Sequence, residues 1–151
     1  MLIRPVTKEE RLQSAKLLTI ESGDLTISAA DDAIHCDYTL QIGAEGTDGP
    51  AISITDCDEG LEAAALHVAS GDIRIHASDD CLNAANSDLS GFDFSMDISG
   101  GTISAYTTDG DGFDSNGSMT ISGGTPPEKP DGGTPPERPD NASEPPEPGN
   151  L

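Results

Sequence analysis

Ser22-Gly-Asp-Leu-Thr-Ile-Ser-Ala-Ala-Asp-Asp-Ala-Ile-His-Cys36 aligns without a gap on Ser70-Gly-Asp-Ile-Arg-Ile-His-Ala-Ser-Asp-Asp-Cys-Leu-Asn-Ala84. Between them, Ala51-Ile-Ser-Ile-Thr-Asp-Cys-Asp-Glu-Gly-Leu-Glu-Ala63 fits the same frame. Gly100-Gly-Thr-Ile-Ser-Ala-Tyr-Thr-Thr-Asp-Gly-Asp-Gly-Phe-Asp-Ser115 follows with one extra residue. Recurrence at a few tens of residues marks units that bury their apolar face only against their neighbours, so it governs the fold before any single residue does.

Apolar and polar residues alternate within each copy, the period of a strand with one buried face. Superposing the copies turns the apolar residues into columns: Leu25, Ile52, Ile73 and Ile103; Ile27, Ile54, Ile75 and Ala105; and, after an acidic turn, Ile34, Leu61, Leu82 and Phe113. A further pair closes each coil, as Leu18/Ile20, Leu40/Ile42, Leu66/Val68, Met96/Ile98 and Met119/Ile121. Period-two alternation and glycine at nearly every junction exclude helical repeats. A propeller blade needs about 40 residues or more per repeat, against roughly 20 to 30 here. The fold class is therefore all-β: a right-handed, single-stranded parallel β-helix of about four to five coils over residues 18–124. Ala33, Gly60, Cys81 and Gly112 form a small-residue column suited to a tight interior corner.

The flanks differ from the repeats. In residues 1–17, Thr7-Lys8-Glu9-Glu10 offers an N-cap with a capping-box Glu, which predicts a short helix from Lys8 to about Leu17 covering the open end of the coils. In residues 125–151 the Pro- and Gly-rich repeat of Gly123–Asp131 and Gly132–Asp140 predicts a disordered, partly extended tail or a linker to another domain.

The chain carries 28 Asp and Glu against 7 Lys and Arg, a formal charge of -21, and Arg74 is the single basic residue between Glu21 and Ser122. Such a surface repels nucleic acid and anionic lipid, so neither nucleic acid nor membrane insertion is expected, and cations are its natural counterpart. Met1–Lys16 lacks the apolar run of roughly 7–15 residues that a secretory leader needs, so the chain reads as a fragment or as one whose leader is lost. Cys36, Cys57 and Cys81 match no zinc spacing and fall in three different columns, which predicts free, buried thiols.

The acids are also in columns. Asp32, Glu59, Asp80 and Asp111 form one; Asp31, Asp58 and Asp79 form a second, with Gly110 in the last place beside Asp109; His35, Glu62, Asn83 and Asp114 form a third, each able to bind a cation through O or N. At a strand spacing of about 4.8 Å, two bare carboxylates repel by roughly 3 kcal/mol at an effective dielectric near 20. An oxygen-rich, strongly negative, irregular donor set favours calcium over magnesium or zinc. Asp109-Gly-Asp111-Gly-Phe-Asp114 has the Asp-x-Asp-Gly spacing of calcium loops without the length or bidentate Glu of an EF-hand. Hydrated turn residues are the competing reading of the same acids. His35, among Glu, Asn and Asp, reads as a variable surface position, and His67 and His76 are expected to point outward. With two Tyr and no Trp, the chain offers little of the aromatic platform that many sugar sites use.

The repeated run Ser-Gly-x-Leu/Ile-x-Ile-x-x-x-Asp-Asp-x-Ile/Leu, with Asp-Glu-Gly-Leu-Glu-Ala at residues 58–63 and Asp-Gly-Phe-Asp-Ser-Asn-Gly at residues 111–117, resembles a bacterial family of calcium-containing, carbohydrate-binding β-helix proteins with a pectate-lyase-like fold. The resemblance covers about Leu18 to Gly124. It implies calcium ligands at Asp31, Asp32, Asp58, Glu59, Glu62, Asp79, Asp80, Asn83, Asp109, Asp111 and Asp114. It also implies binding of plant cell-wall polysaccharide, such as polygalacturonate or cellulose, outside the cell or on its surface. The expected function is a non-catalytic, calcium-dependent polysaccharide-binding module. The alternatives are a calcium-stabilised stalk or the remnant of a polysaccharide lyase. A lyase needs a basic residue to remove the α-proton, and the repeats supply Arg74 alone.

Overall fold

Leu25 and Ile27 are almost fully buried while Asp24 and Thr26, alternating with them, are exposed, the one-sided burial that alternation requires. The computed structural model describes residues 12–14 and 16–124, all of it strands and turns. The strands are β1 (Leu12–Ser14), β2 (Leu17–Ile20), β3 (Asp24–Ser28), β4 (Ile34–Ile42), β5 (Ala51–Asp56), β6 (Leu61–Val68), β7 (Asp72–Ala77), β8 (Leu82–Ala84), β9 (Ser95–Ile98), β10 (Thr102–Thr107), β11 (Phe113–Ser115) and β12 (Ser118–Ile121). Every pairing is parallel, and each joins equivalent strands of successive coils. The chain is a parallel β-helix of about four coils.

One sheet runs β3-β5-β7-β10, and the other wraps the remaining faces through the long strands β4 and β6. The columns read from the repeat are the observed register: Leu25 opposes Ile52, Ile52 opposes Ile73, and Ile73 opposes Ile103. Ile34, Leu61, Leu82 and Phe113 stack likewise, as do Leu40, Leu66, Met96 and Met119. Ile34, Leu61, Leu82, Ile73, Leu40, Leu66 and Met96 are all fully enclosed, and each such side chain contributes about 1.5–3 kcal/mol of burial. In the last coil the same columns open to solvent: Phe113 is 36% exposed, Met119 42% and Ile121 60%, because no coil covers them among the described residues.

The corner column accounts for its small residues. A Cβ on Gly60 would stand 2.4 Å from the Cys81 carbonyl oxygen and 2.6 Å from Ile75 Cγ2, so the coil turns there only with glycine. Cys36, Cys57 and Cys81 are buried and free. Burial, reinforced by nearby Cys81 and Asp56, pushes the Cys57 thiol up to about 12, and burial also raises Cys81.

The N-terminal helix is not found over its described part. Leu12–Ser14 is a strand paired with β4 from Leu12 opposite Ile34, and Leu17–Ile20 pairs further along the same strand. The unfilled edge of β4 outweighs a local capping-box preference, because strand addition satisfies a whole row of backbone groups. Lys8–Arg11 and the tail from residue 125 onward lie outside the described residues. Among those described, no helix is long and apolar enough to cross a membrane.

Candidate functional site

The turn that follows β3, β5, β7 and β10 is itself a hydrogen-bonded stack. Ala33 N donates to Glu59 O at 2.8 Å, Gly60 N to Asp80 O at 3.0 Å and Cys81 N to Asp111 O at 2.9 Å. These bonds hold Asp32, Glu59, Asp80 and Asp111 in line. Strand pairing then places His35 opposite Glu62, Glu62 opposite Asn83, and Asn83 opposite Asp114. Two columns of donors therefore run side by side along one edge of the coils, a ladder with one rung per coil.

The structure divides the eleven residues proposed as ligands into two sets. Asp31, Asp58, Asp79, Asp109 and Asp111 are exposed, whereas Asp32, Glu59, Glu62, Asp80 and Asp114 are half-buried and Asn83 is 8% exposed. Asp58 accepts a hydrogen bond from Ser78 Oγ at 2.8 Å, an ordinary turn contact. Gly110 interrupts the outer column because a Cβ there would stand 2.4 Å from the Asp79 carbonyl carbon. The inner set has the stronger electrostatics. Burial, with the adjoining Glu62 carboxylate, raises Glu59 to about 8, opposed by the Asn83 amide that donates to Glu59 Oε1 at 3.2 Å. Burial raises Asp80 too, partly offset by the Asp111 amide that donates to Asp80 Oδ1 at 2.7 Å.

Three buried polar atoms on this ladder make no hydrogen bond: His35 Nδ1, Glu59 Oε2 and Asn83 Oδ1. An enclosed acceptor left unmatched costs on the order of 1–3 kcal/mol. Of the proposed ligands, Asp32 and Glu62, together with His35, bring ligating atoms within 4.8 Å of one another.

His35 is not the variable surface position that its column suggested. Its side chain is 15% exposed, with Nδ1 3.3 Å from Asp32 Oδ2 and 3.1 Å from Glu62 Oε1, and Nε2 2.9 Å from Asp37 Oδ1. The alignment places His35 in a ligand-capable column, but it carries no signal that Asp37 turns back to engage the ring. That contact depends on the register shift in β4 between Cys36 and Thr39. His67 and His76 lie on outward positions; His67 Nδ1 is 3.3 Å from Asp97 Oδ2.

The β5-β7-β10 end of the sheet carries a second feature. An open depression of about 700 Å³ beside the last coil is lined mainly by apolar residues, among them Ile54, Ile75, Ile103, Ala105 and Phe113, with Arg74, His76 and Tyr106 at its edge. A smaller one of about 260 Å³, lined by Asp24, Thr26, Ser53, Asp72 and Arg74, adjoins it through Arg74. His76 and Tyr106 oppose each other in register, with ring centroids 4.8 Å apart in an edge-on pair, and Tyr106 is 62% exposed. Arg74 pairs with Asp72 at 3.3 Å in the open. This aromatic pair was legible in the aligned columns, where His76 and Tyr106 share a place, but a count of two Tyr and no Trp obscured it.

No match is found for this chain among protein-family models, curated proteins or solved structures.

Proposed function

We propose that the chain is a non-catalytic, calcium-dependent polysaccharide-binding module of a secreted or cell-surface protein. The observation that carries this reading is the ladder, in which half-buried carboxylates stack coil on coil and three enclosed polar atoms have no hydrogen-bond partner. Calcium fits the donors, with Glu59, Glu62, Asp80, Asn83 and Asp114 as the enclosed ligands and Asp31, Asp58, Asp79, Asp109 and Asp111 available from the outer turn; Asp32 completes the set. Bound cations neutralise the strip and rigidify the turns, and the two open depressions that meet at Arg74, largely apolar with polar residues at their edges, then offer a surface to a glycan. Arg74 suits a uronate carboxylate and Tyr106 the face of a sugar ring. Plant cell-wall polymers such as polygalacturonate or cellulose are the glycans this reading assigns to that surface. Against a lyase, Arg74 is exposed, ion-paired with Asp72, and the one basic side chain in the repeats.

The test is thermal unfolding of the whole chain in EGTA and in millimolar calcium, each with and without polygalacturonate or soluble cello-oligosaccharide. A calcium-dependent rise in melting temperature with a further rise on adding glycan is the expected result. No response to calcium refutes the cation sites, and a calcium response with no glycan response leaves a calcium-stabilised stalk.

A further inference from the structure

The rung formed by His35 differs in kind from the others, and it is the one place where an imidazole enters the ladder. Asp32, His35 and Glu62 each present one ligating atom, and the three atoms lie within 4.8 Å of one another. The two separations from His35 Nδ1, 3.3 Å to Asp32 and 3.1 Å to Glu62, match the roughly 3.3 Å edge of a tetrahedron whose bonds are about 2.0–2.1 Å, the lengths of zinc to imidazole and carboxylate.

The ring is also set for coordination. Asp37 accepts from Nε2 at 2.9 Å, which orients the ring with Nδ1 toward Asp32 and Glu62. Asp37 is itself held, because Asn86 Nδ2 donates to its backbone oxygen at 2.9 Å from the loop after β8. Tyr38 packs edge-on against Phe92 of that loop, with centroids 6.0 Å apart. A carboxylate that orients the far nitrogen of a ligating histidine is a recurrent feature of metal centres. Nδ1 is enclosed and makes no hydrogen bond, although two carboxylate oxygens lie beside it. One rung further on, Asn83 is 8% exposed and its Oδ1 is likewise unmatched.

We infer that Asp32, His35 and Glu62 form a site for a divalent transition-metal ion of the zinc class, which takes Asp32 and Glu62 in place of calcium, with Asp37 as the positioning residue and a fourth position open to water. Imidazole with two carboxylates favours such ions over calcium and magnesium, which prefer oxygen alone. The inference concerns the His35 rung alone and does not require the calcium or glycan reading to hold; where the calcium reading holds as well, hard ions occupy the rungs of Asn83 and Asp114.

The experiment uses the full chain, stripped of metal and then kept in millimolar calcium throughout, so that hard-cation rungs are filled and a failure of calcium binding is scored separately by the melting shift. Zinc is titrated by calorimetry and followed by histidine ring resonances, which are three in number. The expected result is one equivalent of zinc bound at micromolar affinity or tighter, with the His35 signals moving and those of His67 and His76 unmoved. His35→Asn is expected to weaken zinc by more than the roughly 10–100-fold that loss of an outer-shell partner costs. Cobalt in place of zinc should give the intense visible bands of a tetrahedral site. Absence of zinc binding, movement of His67 in place of His35, or His35 signals that respond to pH but not to zinc overturns the inference. The resonances are read in the unsubstituted protein, so the outcome stands even if His35→Asn unfolds it.

Discussion

Replacing Glu59 with Gln tests the electrostatics of the ladder directly. Burial and the adjoining Glu62 raise the Glu59 carboxyl from an ordinary 4.5 to about 8, so the folded chain without divalent cations holds a proton there that the unfolded chain releases. The stability supplied by that proton is complete below about pH 4.5 and is lost as pH rises through about 8. At about 1.4 kcal/mol for each pH unit between the two values, full enclosure would set a ceiling near 5 kcal/mol. Glu59 is only half-enclosed, so solvent screening brings the effect down to about 1–2 kcal/mol. Gln has the same shape and stays neutral, and its carbonyl oxygen can still accept from Asn83. In EDTA, Glu59→Gln should therefore match the parent near pH 5 and exceed it near pH 8.5, by on the order of 5 °C in melting temperature followed by circular dichroism. Asp80, also raised by burial, contributes a slope of the same sign, but it is common to both proteins and cancels in the difference. In calcium the advantage should vanish, because the ion does for the parent what the missing charge does for the variant. A difference that is flat with pH, or one that survives in calcium, refutes the reasoning.

The remaining predictions concern the coil interior. Leu61→Ala, which empties a fully enclosed place between Ile34 and Leu82, should cost about 2–5 kcal/mol in denaturant unfolding; a loss below 1 kcal/mol would mean that the stack collapses to fill the gap. Cys57 and Cys81 should resist a thiol reagent at mildly alkaline pH in the native chain and react on unfolding, since both are buried and their thiolates disfavoured. Rapid labelling of either without loss of structure would contradict their placement.

Sequence by itself determined the register of the repeated columns. Because parallel stacking sets like residue on like, aligning four copies is equivalent to drawing the pairing. Ile52 over Ile73, His35 over Glu62 and Asn83 over Asp114 all follow from the gapless alignment plus one extra residue in the last copy. The same logic found the small-residue corner at Gly60, where the next coil leaves no room for a Cβ.

Only the tertiary structure decided matters that depend on how far a side chain sits from solvent and which way a neighbour bends. Periodicity cannot distinguish Asp31 in the open from Asp32 half-enclosed, since adjacent turn residues share a composition but not an environment. It could not show Asp37 folding back on the His35 ring, because the register shift in β4 and the loop carrying Asn86 and Phe92 are features of one coil and not of the repeat. The strand at Leu12–Ser14 was hidden for a related reason: a local capping motif is visible in the chain, whereas the unfilled edge of β4 that competes with it exists only once the coils have stacked. Repetition exposes what every coil shares, and the candidate metal chemistry at His35 lies in what one coil does alone.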